Sequence, residues 1–358
     1  MQKRVLSITL LTVALLCQEA ISATHSVIDK QEPSKQRTLS LVNHLQDQNP
    51  STSASPPISN EVERIEISGL VEIEAEFVDP RSGNSYSNLT LTTAELGIKA
   101  QVSSAVSGEI VLLYEEDSEA SLDVDVATLT LSPEASWFIN AGQFYLPFGV
   151  FETQMISDPL TLELAETRET ALEIGFTTGM LFGSVYIFDG DTRNEDTSKI
   201  DNIGMHLDLI LDRGNRHFDI SLGYINDIRN SDGLIDYKGE NQNQVGGITL
   251  SASLYSGPFK LIGEYVSTSD MFDAGDKPYA YNIEAGYGFS LSGIDANVAI
   301  GFQATGDAEQ IELPKEILLA AISFEMYEHT TLGIEITSSK AYDNQYTQAL
   351  LLQLAGHF

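Results

Sequence analysis

Alternation constrains this chain more than any other feature. Ile65, Ile67, Gly69, Val71, Ile73, Ala75 and Phe77 take turns with Arg64, Glu66, Ser68, Leu70, Glu72, Glu74 and Glu76. At 100° per residue these apolar positions would scatter around a helix, whereas in a strand they share one face. The pattern recurs over 218–224, 279–291 and 296–302. The same rule predicts sixteen strands, near residues 63–77, 89–102, 108–116, 121–131, 136–146, 171–178, 180–188, 202–212, 216–226, 245–255, 259–267, 279–291, 294–305, 316–327, 330–339 and 345–358. Short turns at 103–107, 132–135, 179, 213–215, 256–258, 292–293 and 328–329 alternate with mostly longer polar segments at 78–88, 147–170, 189–201, 227–244, 268–278, 306–315 and 340–344, although 117–120 is short for that second class.

Strands of a soluble sandwich usually run about five or six residues. Many runs here reach the roughly ten residues that a tilted strand needs to cross a bilayer. An even strand number with one tight rim and one looped rim is the plan of an outer-membrane barrel. The expected fold is therefore all-β: a transmembrane β-barrel of about 16 antiparallel strands over residues 62–358. Tyr279, Tyr281, Tyr287 and Phe289 lie near both ends of one apolar face, where interfacial girdles belong. Residues 180–188 and 316–327 are apolar on both faces, which points to something packed inside the barrel.

The N-terminal region reads differently. Lys3 and Arg4 precede an apolar run over 5–16, followed by the small residues Ala20, Ser22 and Ala23, the order of a secretory signal peptide over 1–23. The apolar run is too short for a spanning helix, which needs about 20 residues. Cys17, the only cysteine, falls inside the signal segment, so cleavage near Ala23 leaves no disulfide or thiol chemistry. Residues 24–61 form a polar extension, expected in the periplasm, that ends in a Ser/Pro-rich linker over 49–57. Within it, 34–48 is either a short helix, for docking or a short coiled coil, or a disordered spacer that is helical part of the time.

The chain carries 52 Asp+Glu against 19 Lys+Arg, a formal charge of -33. A polyanion of this kind repels phosphate backbones, which excludes nucleic acid as a partner. Glu66, Glu72, Glu74, Glu76, Asp219, Glu284 and Asp295 fall on the polar sides of their strands and are the expected lumen-facing acids; carboxylate rings favour cations. By the same register, arginine should be costly at Ile283 and tolerated at Glu284. The six histidines, His25, His44, His206, His217, His329 and His357, show no pair at metal-ligand spacing. His206 and Asp208 share one strand face without completing a catalytic set, so neither an enzyme nor a cofactor is expected. Asp189-Gly190-Asp191 starts like a calcium loop and lacks the later ligands.

The segment 142–172, GQFYLPFGVFETQMISDPLTLELAETRETAL, holds the longest connection, third on the looped rim. Its Pro147-Phe148-Gly149 turn, the following acid and the downstream Glu166-Thr167-Arg168 loosely resemble the phosphate-selective porins. The whole stretch, on a barrel with a signal peptide and a polar extension, more closely resembles the LbtU-type siderophore porins. That resemblance implies passive, TonB-independent uptake of a ferric siderophore or similar small polar solute, with the third loop folded inward. A plugged receptor would need about 22 strands and an internal domain, which this length cannot supply. With 147–170 folded into the barrel, as its length and third position suggest, Asp158, Glu163, Glu166, Arg168 and Glu169 are the candidate constriction and ligand residues. Phe148, Val150, Phe151, Met155, Ile156, Leu160, Leu162 and Leu164 give the loop an apolar face that needs a surface. Arg168, its only base, either complements an anionic chelate or pairs with Glu166 or Glu169. An acidic lumen does not suit a polycarboxylate siderophore, so a general cation-preferring diffusion porin and a structural barrel with partner-binding loops stay open. Phe358, preceded on its face by Gly356, Leu354, Leu352 and Leu350, resembles the C-terminal signal read by the bacterial barrel-assembly machinery. Outer-membrane lipid, lipopolysaccharide and a second copy of the chain complete the expected partners.

Overall fold

The structure is a computed structural model that describes residues 62–116, 122–190, 200–234, 244–269 and 276–358. The expected signal peptide over 1–23, the extension over 24–61 and most of the Asp189–Asp191 loop tip's surroundings, 191–199, lie outside the described residues.

Sixteen antiparallel strands close into one barrel in which each strand pairs with its sequence neighbours and the last returns to the first. They are β1 Arg64–Pro80, β2 Tyr86–Ser103, β3 Val106–Tyr114, β4 Asp123–Glu134, β5 Trp137–Tyr145, β6 Arg168–Thr177, β7 Leu181–Asp189, β8 Asn202–Arg213, β9 Arg216–Ile225, β10 Gly247–Ser256, β11 Phe259–Thr268, β12 Tyr279–Leu291, β13 Ile294–Gly306, β14 Glu316–Tyr327, β15 Thr330–Lys340 and β16 Tyr346–His357. β1 and β2 run past the reach of the apolar alternation, because their backbone pairing continues to Val78↔Tyr86 and that of β1 with β16 to Pro80↔Thr347 regardless of side-chain type, and the first looped connection shrinks to 81–85.

The polarity of the wall is inverted relative to a soluble fold. Ile65, Ile67, Leu89, Ile174, Val185, Ile283, Ile300 and Leu318 are exposed on the outside, while Thr249, Asn282, Glu284, Gln303 and Glu335 are buried inside. A closed barrel leaves no unpaired strand edge, so such a surface is stable against hydrocarbon. Aromatic rings gather at two heights on the outer face. Tyr265 and Tyr279 (ring centroids 6.1 Å apart) and Tyr281 with Phe302 (5.9 Å) lie toward the looped rim. Phe259 and Tyr287 (5.1 Å) and Tyr287 with Phe289 (6.4 Å) lie toward the tight rim. The ten-residue step from Tyr279 to Phe289 covers about 33 Å along the strand, which a tilt of about 40° reduces to roughly the 25 Å of an apolar band.

Closure is local and specific. Gly69 N donates to Phe358 O (2.9 Å) and Phe358 N to Gly69 O (3.0 Å). The Phe358 ring lies over Gly69, where an added Cβ would come within 2.3 Å of it. Only glycine admits this approach.

Candidate functional site: a loop folded onto an acidic wall

The connection from β5 to β6 enters the lumen. It includes one short helix, α1 (Leu160–Ala165), which packs against β11, β12 and β13 on the far side of the barrel. Three inner-wall carboxylates hold it there by its backbone. Glu264 on β11 accepts from Val150 N (2.7 Å), Phe151 N (3.1 Å) and Thr161 Oγ1 (2.9 Å). Glu284 on β12 accepts from Thr153 Oγ1 (2.6 Å) and Gln154 N (2.6 Å). Glu335 on β15 accepts from Ile156 N (2.5 Å), Ser157 N (3.4 Å) and the Ser157 hydroxyl. On β13, Gln303 Oε1 accepts from Leu160 N (3.1 Å). A loop without secondary structure carries free N–H groups, and buried carboxylates need donors, so each solves the other's desolvation problem.

The apolar side of the loop finds the surface that it needs. Phe148, Phe151, Leu160, Leu164 and Ala165 join a buried cluster with Phe144, Tyr186, Phe188, Ile225, Val266 and Ala280. Met155 packs with Ala299, Leu319 and Ala321. The doubly apolar stretches at 180–188 and 316–327 thus contribute Tyr186 and Phe188 to the first cluster and Leu319 and Ala321 to the second. Glycines on the inner wall provide clearance. A Cβ at Gly301 would stand 3.0 Å from Met155 Cε, and one at Gly333 3.0 Å from Ile156 Cδ1. From the looped rim, Ser231 Oγ and Asp232 N donate to Leu164 O (3.0 Å) and Glu166 O (2.9 Å).

Because the loop covers the β9–β15 side, open space remains along β1–β8 and β16. This cavity measures about 830 Å³. Twelve carboxylates line it: Glu72, Glu74, Glu95, Glu109, Glu115 and Asp125 on the strand side, Asp158, Glu163 and Glu166 on the loop, and Glu173, Asp208 and Asp219 beyond. Among the described residues its lining includes no Lys or Arg, and His206 is its only other titratable base.

The candidate residues therefore separate. Asp158, Glu163 and Glu166 come together on the cavity wall with Glu72, Glu74 and Asp219. Glu169 is buried, and neither it nor Arg168 lines the cavity. Arg168 ion-pairs with Asp123 (2.8 Å) and Asp125 (3.1 Å), and Asp125 also accepts from Tyr145 Oη (2.6 Å). The pairing of β4 with β5 runs no further toward this rim than Ala127↔Gln143, so Tyr145 and Arg168 reach across a gap to the freed end of β4. Glu66 is paired with Arg64 (2.8 Å) at the tight rim, and Glu76 and Asp295 also stand outside the cavity lining.

Glu284 needs correction. It faces inward as its register indicated, but it is 1% exposed beneath the loop, where it serves as a backbone acceptor rather than a free lumen charge. Arginine there would place a cation against two loop donors and would not be tolerated. Glu264 and Glu335 were missed, although both are acids on inner faces near small residues.

Two histidine arrangements also become visible. His206 Nε2 lies 2.8 Å from Asp208 Oδ1 and 3.4 Å from Ser221 Oγ. A Ser-His-Asp relay uses opposite ring nitrogens, and here one nitrogen faces both partners, so the set does not form such a relay. His329 and His357, 28 residues apart, lie side by side at the tight rim with Nδ1 and Nε2 2.9 Å apart.

No family model matches the chain. It is similar to UPF0422 proteins. The one from Coxiella burnetii is 25% identical over 314 residues, covering 80% of this chain and 66% of that protein. Those from Legionella pneumophila strains Lens and Philadelphia 1 are each 25% identical over 311 residues, covering 76% of this chain and 58% of theirs. The chain thus spans between 58% and 66% of the length of these curated relatives. Among solved structures, the outer-membrane channel DcaP of Acinetobacter baumannii superposes with a TM-score of 0.59 at 14% identity, over 82% of this chain and 97% of that one. An anion-selective porin from Comamonas acidovorans gives 0.58 at 13%, over 82% and 99%. The fold is that of the outer-membrane porins.

Proposed function

We propose that the protein is an outer-membrane diffusion channel that favours cations and small polar solutes without net negative charge. The lining of the cavity carries this reading: twelve carboxylates with no Lys or Arg among the described residues. Such a wall inside a low-dielectric barrel focuses a negative potential along the path and raises the local cation concentration. Lys260, which projects inward from β11, does not offset it, because its Nζ lies 3.0 Å from Glu152 of the loop. Since β1 starts at the tight rim, which faces the periplasm in barrels of this plan, the preceding residues are assigned to that side. The deciding measurement is the reversal potential of the reconstituted channel across a tenfold KCl gradient. The expected sign is that of a cation-preferring pore. A reversal potential of anionic sign overturns the proposal, and absence of any conductance in correctly folded protein favours a structural barrel.

The similarity of 142–172 to the siderophore porins supports a narrower reading, uptake of a ferric chelate. A space of about 830 Å³ lies within the range of small-molecule sites. The acidic lining restricts the chelate to one that is neutral or positive, such as a ferric trihydroxamate, rather than a polycarboxylate. Block of single-channel current by the first type and not the second supports this reading. Equal indifference to both leaves a general diffusion porin.

A further inference from the structure

His329 occupies the tight turn between β14 and β15, and His357 is the last residue of β16. His357 continues the inner face of β16 after Leu351, Gln353 and Ala355, all buried, so the pair stands at the tight-rim mouth of the lumen. The backbone fixes both rings. Thr330 is registered with Gly356, and His357 N donates to His329 O (3.0 Å). His329 holds the left-handed backbone conformation (φ 62°) that a tight hairpin turn requires and that histidine tolerates better than most residues.

The two rings meet at hydrogen-bond distance, and the same separation suits two cis ligands of one metal ion. Their ring planes are 89° apart, with centroids 4.7 Å apart and Nδ1 of His329 2.9 Å from Nε2 of His357. With about 1.1 Å from ring centroid to nitrogen, a linear N–H···N bond of that length would separate the centroids by about 5.1 Å. A metal ion about 2.05 Å from each nitrogen, seeing them at about 90°, gives N···N near 2.9 Å and centroids near 4.5 Å. The observed separation fits an N–H···N bond bent by about 35° at each ring and also the bite of a metal held at about 90°, so the pair can exchange one for the other with little movement.

We propose that His329 and His357 bind a borderline divalent transition-metal ion, of the Cu²⁺ or Ni²⁺ class, at the periplasm-facing mouth of the channel. A cis angle near 90° suits square-planar or tetragonal ions better than tetrahedral zinc. Glu328 Oε1 stands 3.7 Å from the opposite nitrogen of His329, beyond hydrogen-bond distance but near enough to add negative charge beside the pair. Among the described residues no group of three or more His, Cys, Asp or Glu is arranged to hold a metal. Water therefore fills the other positions, and the ion stays exchangeable, as a site on a passage requires.

The test titrates Cu²⁺ into the full chain folded in detergent micelles and records electron paramagnetic resonance beside calorimetry. Wild type should show one equivalent with superhyperfine coupling to two nitrogens. His357→Gln and His329→Gln should each abolish the two-nitrogen pattern and weaken that equivalent by at least about tenfold, with the barrel still folded. The double variant, which retains every carboxylate and the other histidines, measures the background. A wild-type spectrum without two-nitrogen coupling overturns the proposal before any variant is made. A two-nitrogen pattern that persists in the double variant overturns it by placing the metal elsewhere.

Discussion

Glu264→Gln separates a loop held by buried charge from one held only by apolar packing. Glu264 is 4% exposed and receives three donors on two oxygens: Val150 N on one, Phe151 N and Thr161 Oγ1 on the other. Glutamine keeps the shape but has one acceptor oxygen. In its better orientation it retains the two-donor side and presents an NH₂ to Val150 N. One hydrogen bond to a charged acceptor is lost, and such bonds contribute about 1.5–3 kcal/mol, while the other two weaken to neutral strength. The net cost to docking of the loop is about 2–3 kcal/mol, or about 30- to 150-fold in the local opening equilibrium. Native-state hydrogen exchange in lipid bilayers reads this directly at the Val150 and Phe151 amides, whose exchange should accelerate by that factor. Thr161→Val removes only a hydroxyl donor and should accelerate them about fivefold, corresponding to about 1 kcal/mol. Deleting 152–166 gives the limiting case, in which single-channel conductance should rise because the loop no longer occupies the lumen. Unchanged protection at Val150 and Phe151 in folded Glu264→Gln would refute the anchoring argument, and unchanged conductance in the folded deletion would refute the placement of the loop.

Two further substitutions probe the outer wall and the freed end of β4. Ile283 is 58% exposed on the outer face, and Ile283→Arg near the bilayer midplane should cost about 2–4 kcal/mol in folding into lipid, measured by urea titration; a cost near zero would sink the assigned register. Arg168→Ala removes both ion pairs to β4 and leaves Asp125, 1% exposed, with Tyr145 as its remaining hydrogen-bond donor among those described here; the expected loss is about 2 kcal/mol in folding stability with cation preference unchanged. A loss of solute block with stability intact would instead make Arg168 a ligand-binding residue.

What could be read in the sequence follows from how far apart the cooperating residues lie and what carries the register between them. Strand existence needed only local alternation, which most of the sixteen segments supply, the doubly apolar 180–188 and 316–327 being placed by length and by their flanking turns. The inward face of each strand was equally legible, because one known outward residue sets the rest. The chemical role of an inward acid was not. Glu74 and Glu284 occupy equivalent positions in their strands. Glu74 lines open space and pairs with Gln353 (2.8 Å), while Glu284 lies beneath Gln154, 130 residues earlier in the chain. Nothing within either strand distinguishes them. The distinguishing cue is indirect: Gly301 and Gly333 thin the wall near Glu284 and Glu335, and a bare inner surface beside an inward-facing acid is a place for another backbone to dock. The pairing of Arg168 with β4 was hidden for the opposite reason. Its partners, Asp123 and Asp125, become available only because β4 parts from β5 beyond Ala127, and strand alternation does not mark where pairing stops. His329 and His357 occupy the middle ground. Their spacing means nothing along the chain, yet a tight turn at 328–329 and antiparallel pairing to the final strand place them opposite one another, so hairpin register alone was sufficient to find them. Contacts transmitted through strand pairing can be derived from a single sequence of this kind. Contacts that depend on the course of a 22-residue loop across a lumen need the structure.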